Sequence, residues 1–396
     1  MSVPVVQGFK FSVAEAAIKA PGRKDCALIV SEVPAQCAGV FTRNKVIAAP
    51  LLVTKPRVAE GLCQAVLINS GNANACTGDA GLEVARTSGA EVARALSIDE
   101  KLVAVSSTGV IGVPLPVERL TAAIPTLCQG LADDKATAVA EAIMTTDSFS
   151  KTACRTIEVG GKNCQVVAIA KGAGMIHPNM ATMLGFVMTD AAVVPELLQP
   201  VLTKAVDGSF NSITVDGDTS TNDMVLLLAN GAAGNTAIQT GSREAELFAQ
   251  AVSDVLLDLA KMIVQDGEGA TKLVKVDLCG ANSDVEAKIA ARSVATSSLV
   301  KTAFFGEDAN WGRIIAAVGY SGVDVDPNKI DIFFDDVQVV ADGLTTGPEK
   351  EALATEVLKK PEFCVSIDPH LGGGKAYYYT SDLTYDYVKI NADYRT

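Results

Sequence analysis

The chain has 396 residues, 48% of them hydrophobic and 20% charged, which is the profile of a folded protein and not of a disordered one. That length exceeds one ordinary hydrophobic core, so two or three domains are expected. The net charge of −13 argues against nucleic acid as the main partner, because phosphate binding favours a basic surface.

Nine cysteines are scattered without a C-x-x-C pair or a metal-type spacing to histidine, which fits buried free thiols in a reducing compartment and predicts no metal site. The first ten residues lack a signal-peptide apolar core, and no apolar run reaches membrane-spanning length. The expectation is a cytoplasmic protein with no membrane partner.

In chain order, residues 1–70 read as short strands between turns: 26–30, 39–41 and 63–69. The small, polar run Asn69-Ser-Gly-Asn-Ala-Asn-Ala-Cys-Thr-Gly78 reads as a loop beside a site or a helix cap, followed by a helix over about 79–96. A strand at 101–107 runs into Thr108-Gly109-Val110-Ile111-Gly112. A strand ending in Thr-Gly can direct consecutive backbone N–H groups into a cleft, as an oxyanion hole requires, although a plain turn produces the same dipeptide. Helices follow over about 115–133 and 135–144. The polar cluster Ile143-Met-Thr-Thr-Asp-Ser148 reads as a cap or turn, and strands follow at 153–159 and 163–170.

The most shaped stretch comes next, Lys171-Gly-Ala-Gly-Met-Ile-His-Pro-Asn-Met-Ala-Thr-Met-Leu184. Two glycines and a proline make a sharp turn that feeds a strand over 185–189. Thr182, at the strand's head, is a hydroxyl nucleophile candidate; by itself it is also an ordinary β-branched strand residue. The chain holds only two histidines, His177 and His370, so a serine–histidine–carboxylate triad has little choice of base. A threonine at a chain N-terminus needs no histidine, because its own α-amine, with an ordinary pKa of about 7.7–8.0, can take the hydroxyl proton.

Beyond it, helices are expected over about 195–206 and 243–264. Between them, 211–223 is a polar strand-and-loop with Asp216, Asp218 and Asp223. Its spacing does not fit an EF-hand. Glu268 lies in a glycine-flanked turn. From about 272 the pattern becomes strand 272–279, helix 283–298, strands near 330–335 and 362–367, and a helix at 347–359. Gly372-Gly373-Gly374-Lys375 fails as a phosphate loop, because Ala376 stands where Ser or Thr should be.

Several of these pieces, in this order, resemble the ornithine acetyltransferase family, the glutamate N-acetyltransferases of arginine biosynthesis. The carrying motifs are Ser-Thr-Gly-Val-Ile-Gly at 107–112, Met-Thr-Thr-Asp at 144–147 (with Ser148 where the family usually has Thr), and the 171–184 stretch. Asp-Ala-Asn-Trp-Gly-Arg at 308–313, with Ala309 in place of a proline, and the C-terminal run to Thr396 complete the set.

The resemblance implies self-cleavage between Ala181 and Thr182 into an α chain, 1–181, and a β chain, 182–396. Within the β chain, 182–275 would complete a layered α/β sandwich built jointly by both chains, and 276–396 would form a smaller C-terminal α+β domain. It implies ping-pong acetyl transfer from N-acetylornithine to glutamate through an acyl-Thr182, with Thr108 and Gly109 as the oxyanion hole. Substrate contacts would come from Thr145, Lys171, Thr182, Glu268, Asn391 and Thr396. It implies no cofactor and an α2β2 assembly, and it leaves acetyl-CoA open as a further donor. A self-processing aminopeptidase or amidase with the same nucleophile, and a non-catalytic binding protein, remain as alternatives; glutamate-dependent ornithine release separates the first from a transferase.

Overall fold

A computed structural model describes residues 3–177 and 183–393. Among them the strands form two mixed sheets, one in each of two compact units. The first unit comprises residues up to 211 together with 218–260; the second comprises 212–217 and residues from 261 onward.

The strands of the first half are β1 (Phe9–Ala14), β2 (Cys26–Phe41), β3 (Leu62–Asn69), β4 (Val103–Ser107), β5 (Lys151–Val159), β6 (Lys162–Lys171), β7 (Leu184–Thr189), β8 (Ile213–Thr214) and β9 (Met224–Ala229). In the first unit the order is β4-β3-β2-β9-β7-β6-β5, with β1 paired to β2. The β3–β4 and β7–β9 pairs are parallel and the others antiparallel. Successive side chains of a strand point to opposite faces. Ala27, Ile29, Val66 and Ile68 therefore join a core that includes Val139 and Ala140 from the helix Ala136–Ala142. Cys26, Leu28, Ala65 and Leu67 face the helices Gly78–Leu96 and Val117–Gln129.

The sequence splits residues 26–41 into two strands; the structure makes them one. Its register shifts between Val30 and Ala35, where Pro34 cannot donate to a ladder, so the first half pairs with β1 and β3, and the second pairs with the start of β3 and with β9.

The second unit adds β10 (Leu273–Ala281), β11 (Asp331–Phe334), β12 (Val337–Ala341), β13 (Leu344–Thr345), β14 (Glu362–Asp368) and β15 (Gly374–Ser381), in the order β13-β12-β11-β14-β10-β15-β8. Its core joins Val274, Val276, Val365 and Tyr378 to Ala287, Ala291 and Val294 of the helix Asp284–Thr296. The expected helix over 283–298 ends earlier, because the Ser297 side chain accepts from the Val300 N–H and caps a new helix, Ser298–Phe305.

Two motifs prove architectural. Asn310 caps the helix Trp311–Gly319 by accepting from the Arg313 N–H. In the triple-glycine run, a Cβ at Gly374 would stand 2.2 Å from the Ser283 carbonyl carbon, so these glycines let β15 pass close to the start of a helix.

Lys301 is wholly buried here, donating to Thr380 Oγ1 (2.9 Å) and Ser381 Oγ (3.1 Å). Burial pulls its pKa from 10.5 down to about 7, against the opposing charges of Asp382 and Asp216. Between those values the folded state holds fewer protons than the unfolded chain, so this group's contribution to stability rises with pH across that window. Lys301→Met should flatten that slope in urea unfolding measured at a series of pH values.

Candidate active site

The site is built in the first unit, where β4 and β6 end. Lys171, the last residue of β6, is buried, and its Nζ donates to Thr145 Oγ1 (2.8 Å) and Thr108 Oγ1 (3.2 Å). Three sequence candidates from separate motifs thus meet on one ammonium. In the sheet Lys171 stands opposite Leu184, and Leu184 opposite Met224, so β6, β7 and β9 meet at the edge of the segment 178–182. The candidates Ala181 and Thr182 fall in that segment and Thr396 at the C-terminus, all outside the described residues.

Thr108 follows β4, and its backbone N–H donates to Asn69 O at 3.0 Å. Of the two amides that strand β4 is expected to direct into a cleft, that of Thr108 is therefore engaged within the protein. The Gly109 amide has no acceptor among the described residues. Gly109 adopts φ +133°, and a Cβ there would lie 2.3 Å from the Gly71 carbonyl carbon and 2.5 Å from the Asn72 nitrogen. Backbone cannot yield as a side chain can, so the polar loop after β3 fixes the Thr108-Gly109 turn. Asn69 and Asn222 brace it: Ser107 Oγ donates to Asn69 Oδ1 (2.7 Å), and Asn222 Nδ2 donates to Ser107 O (2.9 Å).

Asp147, two residues beyond Thr145, is a functional residue to which the sequence pattern alone assigns no role. Its side chain is fully buried and accepts from Lys151 Nζ (2.8 Å), the Gly172 N–H (2.6 Å) and the Thr145 N–H (2.9 Å). Burial alone would push its pKa up. The ammoniums of Lys171 and Lys151, with those donors, outweigh burial and hold it down at about 2. Asp147 is thus ionised at neutral pH and sets the positions of both Thr145 and the start of the Lys171-Gly172 turn.

Asp223, the last acidic residue of the polar 211–223 segment, is also wholly buried. Its Oδ1 accepts from the Met183 N–H at 3.0 Å.

Glu268 and Asn391 lie in the second unit. Asn391, on the helix Tyr385–Asp393, donates from Nδ2 to Glu268 Oε2 at 2.8 Å. The turn bearing Glu268 is tied to the base of that helix. Asp382 accepts from the Thr271 and Lys272 amides (2.8 and 3.1 Å), and Thr384 Oγ1 donates to Gly269 O (2.8 Å). His370 pairs with Asp331 (Nε2···Oδ2 3.0 Å), which raises its pKa. Among the described residues no group of three metal-ligating side chains occurs, and no helix is long and apolar enough to cross a membrane.

The family model described as the ArgJ family matches residues 10–396. The chain belongs to the ArgJ family. The arginine biosynthesis bifunctional protein ArgJ of Syntrophotalea carbinolica is 62% identical over 391 residues, 99% of each chain. The protein of the same name from Geobacter sulfurreducens is 59% identical over 391 residues, 99% of this chain and 100% of its own. The crystal structure of that protein from Bacillus halodurans, 45% identical, matches with a TM-score of 0.51 and covers 53% of this chain and 98% of its own.

Two variants test the geometry. Gly109→Ala keeps its N–H but sets a Cβ against the Gly71–Asn72 backbone, so the turn must shift and carry that amide with it; kcat should fall by roughly 100–1,000-fold, the scale of a misplaced electrostatic donor, in protein that remains folded by circular dichroism. Asp147→Asn should destabilise the fold by about 3–5 kcal/mol by leaving Lys151 buried without its counter-charge. Because the Asp147 pKa is depressed, its contribution is present above the ordinary carboxylate range and is lost as pH falls towards about 2. The variant should therefore lack that acid-side loss in denaturant melts.

Proposed function

We propose that the chain cuts itself between Ala181 and Thr182 and that the freed Thr182 carries acetyl from N-acetylornithine to glutamate. Family membership makes the protein an acyltransferase of arginine biosynthesis; the steps that follow are our reading of its geometry.

The carrying observation is the meeting of Lys171, Thr108 and Thr145 beside the strand that begins two residues after Thr182. In the first half-reaction the Thr182 hydroxyl oxygen attacks the acetyl carbonyl carbon, and the α-amine takes its proton. The oxyanion rests on the Thr108 hydroxyl and the Gly109 N–H. As the amide C–N bond breaks, the proton passes to the departing ornithine nitrogen. The glutamate amine then attacks the acyl-threonine ester, the C–O bond breaks, and the Thr182 hydroxyl regains its proton. Lys171 supplies a cation for a substrate carboxylate, and Thr145 holds that cation's direction. Glu268 is assigned to the substrate amino groups, and Asn391 and Thr396 to further substrate contacts.

Two facts support scission. Residues 178–182 lie between β6 and β7, both strands of one sheet. The Bacillus halodurans chain is matched along nearly its whole length by 53% of this one. A β chain of 182–396 is likewise a little over half of the sequence, and an α2β2 assembly in the cytoplasm is the form we expect it to take.

Intact-mass measurement should find two chains, the larger beginning at Thr182, and Thr182→Ala should stay a single inactive chain. An assay with N-acetylornithine and glutamate should yield N-acetylglutamate and ornithine; the same assay with acetyl-CoA reads the second donor. Wild-type protein that transfers acetyl while uncut would remove the N-terminal nucleophile. Acetate release without N-acetylglutamate would make the enzyme an amidase.

A further inference from the structure

The helix Tyr385–Asp393, which carries Asn391, is nine residues long and buries none of them. A helix that short is marginal by itself and takes its place from what it is tied to. Its ties run to the turn bearing Glu268 and to the helix Ser298–Phe305, where the Tyr385 ring meets that of Phe305 edge-on at 5.5 Å. All of these residues belong to the second unit.

One hydroxyl makes the joint. Thr384 precedes the helix, and its Oγ1 accepts from the Tyr387 N–H (3.2 Å), which caps the first turn. The same hydroxyl donates its proton to Gly269 O (2.8 Å), next to Glu268. Backbone meets backbone there: Gly269 adopts φ +69°, and a Cβ on it would stand 2.7 Å from the Tyr387 nitrogen. Further along the helix, Asn391 Nδ2 donates to Tyr387 O (3.1 Å) and to Glu268 Oε2 (2.8 Å), so the helix also fixes the carboxylate's direction. The segment before Thr384 is anchored in turn. Lys301 Nζ donates to Thr380 and Ser381, the Leu383 N–H donates to Lys301 O (3.2 Å), and Asp382 accepts from the Thr271 amide (2.8 Å) and hydroxyl (2.5 Å).

We propose that Thr384 is a specificity-determining positioning residue: it holds the helix of Asn391 against the turn of Glu268 and thereby aims that carboxylate at the side-chain ammonium of the acetyl donor. This rests on the reading of Glu268 as a contact of the substrate amino groups. Chemistry selects which amine. Glutamate must present a neutral amine to attack the acyl ester, and pairing with a carboxylate would keep that amine protonated. N-acetylornithine carries its acetyl on the α-nitrogen, so its remaining amine is the δ-ammonium, which takes no part in the bond changes. Thr384 touches no reacting atom and moves no proton in the reaction.

The test compares N-acetylornithine with N-acetylnorvaline, which has the same side-chain carbons and lacks the δ-amine, in the processed enzyme. The wild type should prefer N-acetylornithine, and Glu268→Gln should lose most of that preference. Thr384→Val keeps the side chain's shape and removes the hydroxyl. It should raise KM for N-acetylornithine by about tenfold, the scale of one misaligned charge-assisted contact, with kcat less affected. Its kcat/KM for N-acetylnorvaline should equal the wild-type value, and Thr384→Ser should restore the preference.

An equal loss on both donors would make Thr384 a helix cap and nothing more, and overturns the proposal. So does a preference that falls in Glu268→Gln but survives in Thr384→Val. A preference that survives in both removes the reading of Glu268 itself, and the proposal with it. Should Thr384→Val not fold, Gly269→Ala opens the same joint from the other side, by setting a Cβ against the Tyr387 backbone, and faces the same tenfold criterion. Calorimetric binding of ornithine against norvaline applies that criterion without acetyl transfer.

Discussion

A single buried carboxylate sets the geometry on which the candidate centre depends. Asp147 takes a hydrogen bond from the amide of Thr145 and another from that of Gly172, so it locks the loop before β5 to the turn after β6. Lys151 neutralises it from the start of β5, and Lys171 adds a second cation nearby. Buried ion pairs are poor sources of net stability, since desolvation offsets most of the attraction. Their value here lies in direction: a charge with three fixed donors has one place to sit, and the residues that donate to it inherit that place.

Environment makes two aspartates of the same centre behave as different chemical groups. Asp147 and Asp223 are both removed from water, which disfavours charge in each. Three donors and two nearby ammoniums reverse the outcome at Asp147, whereas one amide, two hydroxyls and a single ammonium do not at Asp223. Neighbouring titratable groups pushed in opposite directions are a pattern associated with functional centres. The cysteines show the contrasting case: burial pushes the thiols of Cys26, Cys37 and Cys63 up, with nothing nearby to stabilise a thiolate enough to offset it.

Much of the fold was legible because strand and helix periods are local. The runs at 63–69, 153–159 and 163–170 fold as read, and the helix starting near residue 79 does so as well. The joining of 26–30 with 39–41 was hidden by Pro34, whose effect depends on which neighbours the strand finds. Within the site, Lys171, Thr145 and Thr108 were visible as motifs, and the structure brings them together. The acceptor of the Thr108 amide was not visible, because it lies on another strand. Asp147 and Asn222 were equally hidden: each sits in a run of small polar residues that reads as a turn, and their partners are 25 and 115 residues away. Asn-rich loops flanking a strand end were the available sign of such bracing.

The strand order of the first sheet carries a consequence for how the gene can be arranged. β7 lies between β6 and β9, and β9 lies against β2, so strands from both sides of residues 178–182 alternate across the sheet. Breaking the chain within that segment leaves every ladder intact, and the two pieces remain bound through backbone hydrogen bonds and a shared apolar interior. Made as separate polypeptides, each piece would instead present open strand edges, β2 and β6 on one and both sides of the β7–β9 pair on the other. Such edges are templates for aggregation. A single reading frame that folds first and is cut afterwards avoids ever exposing them.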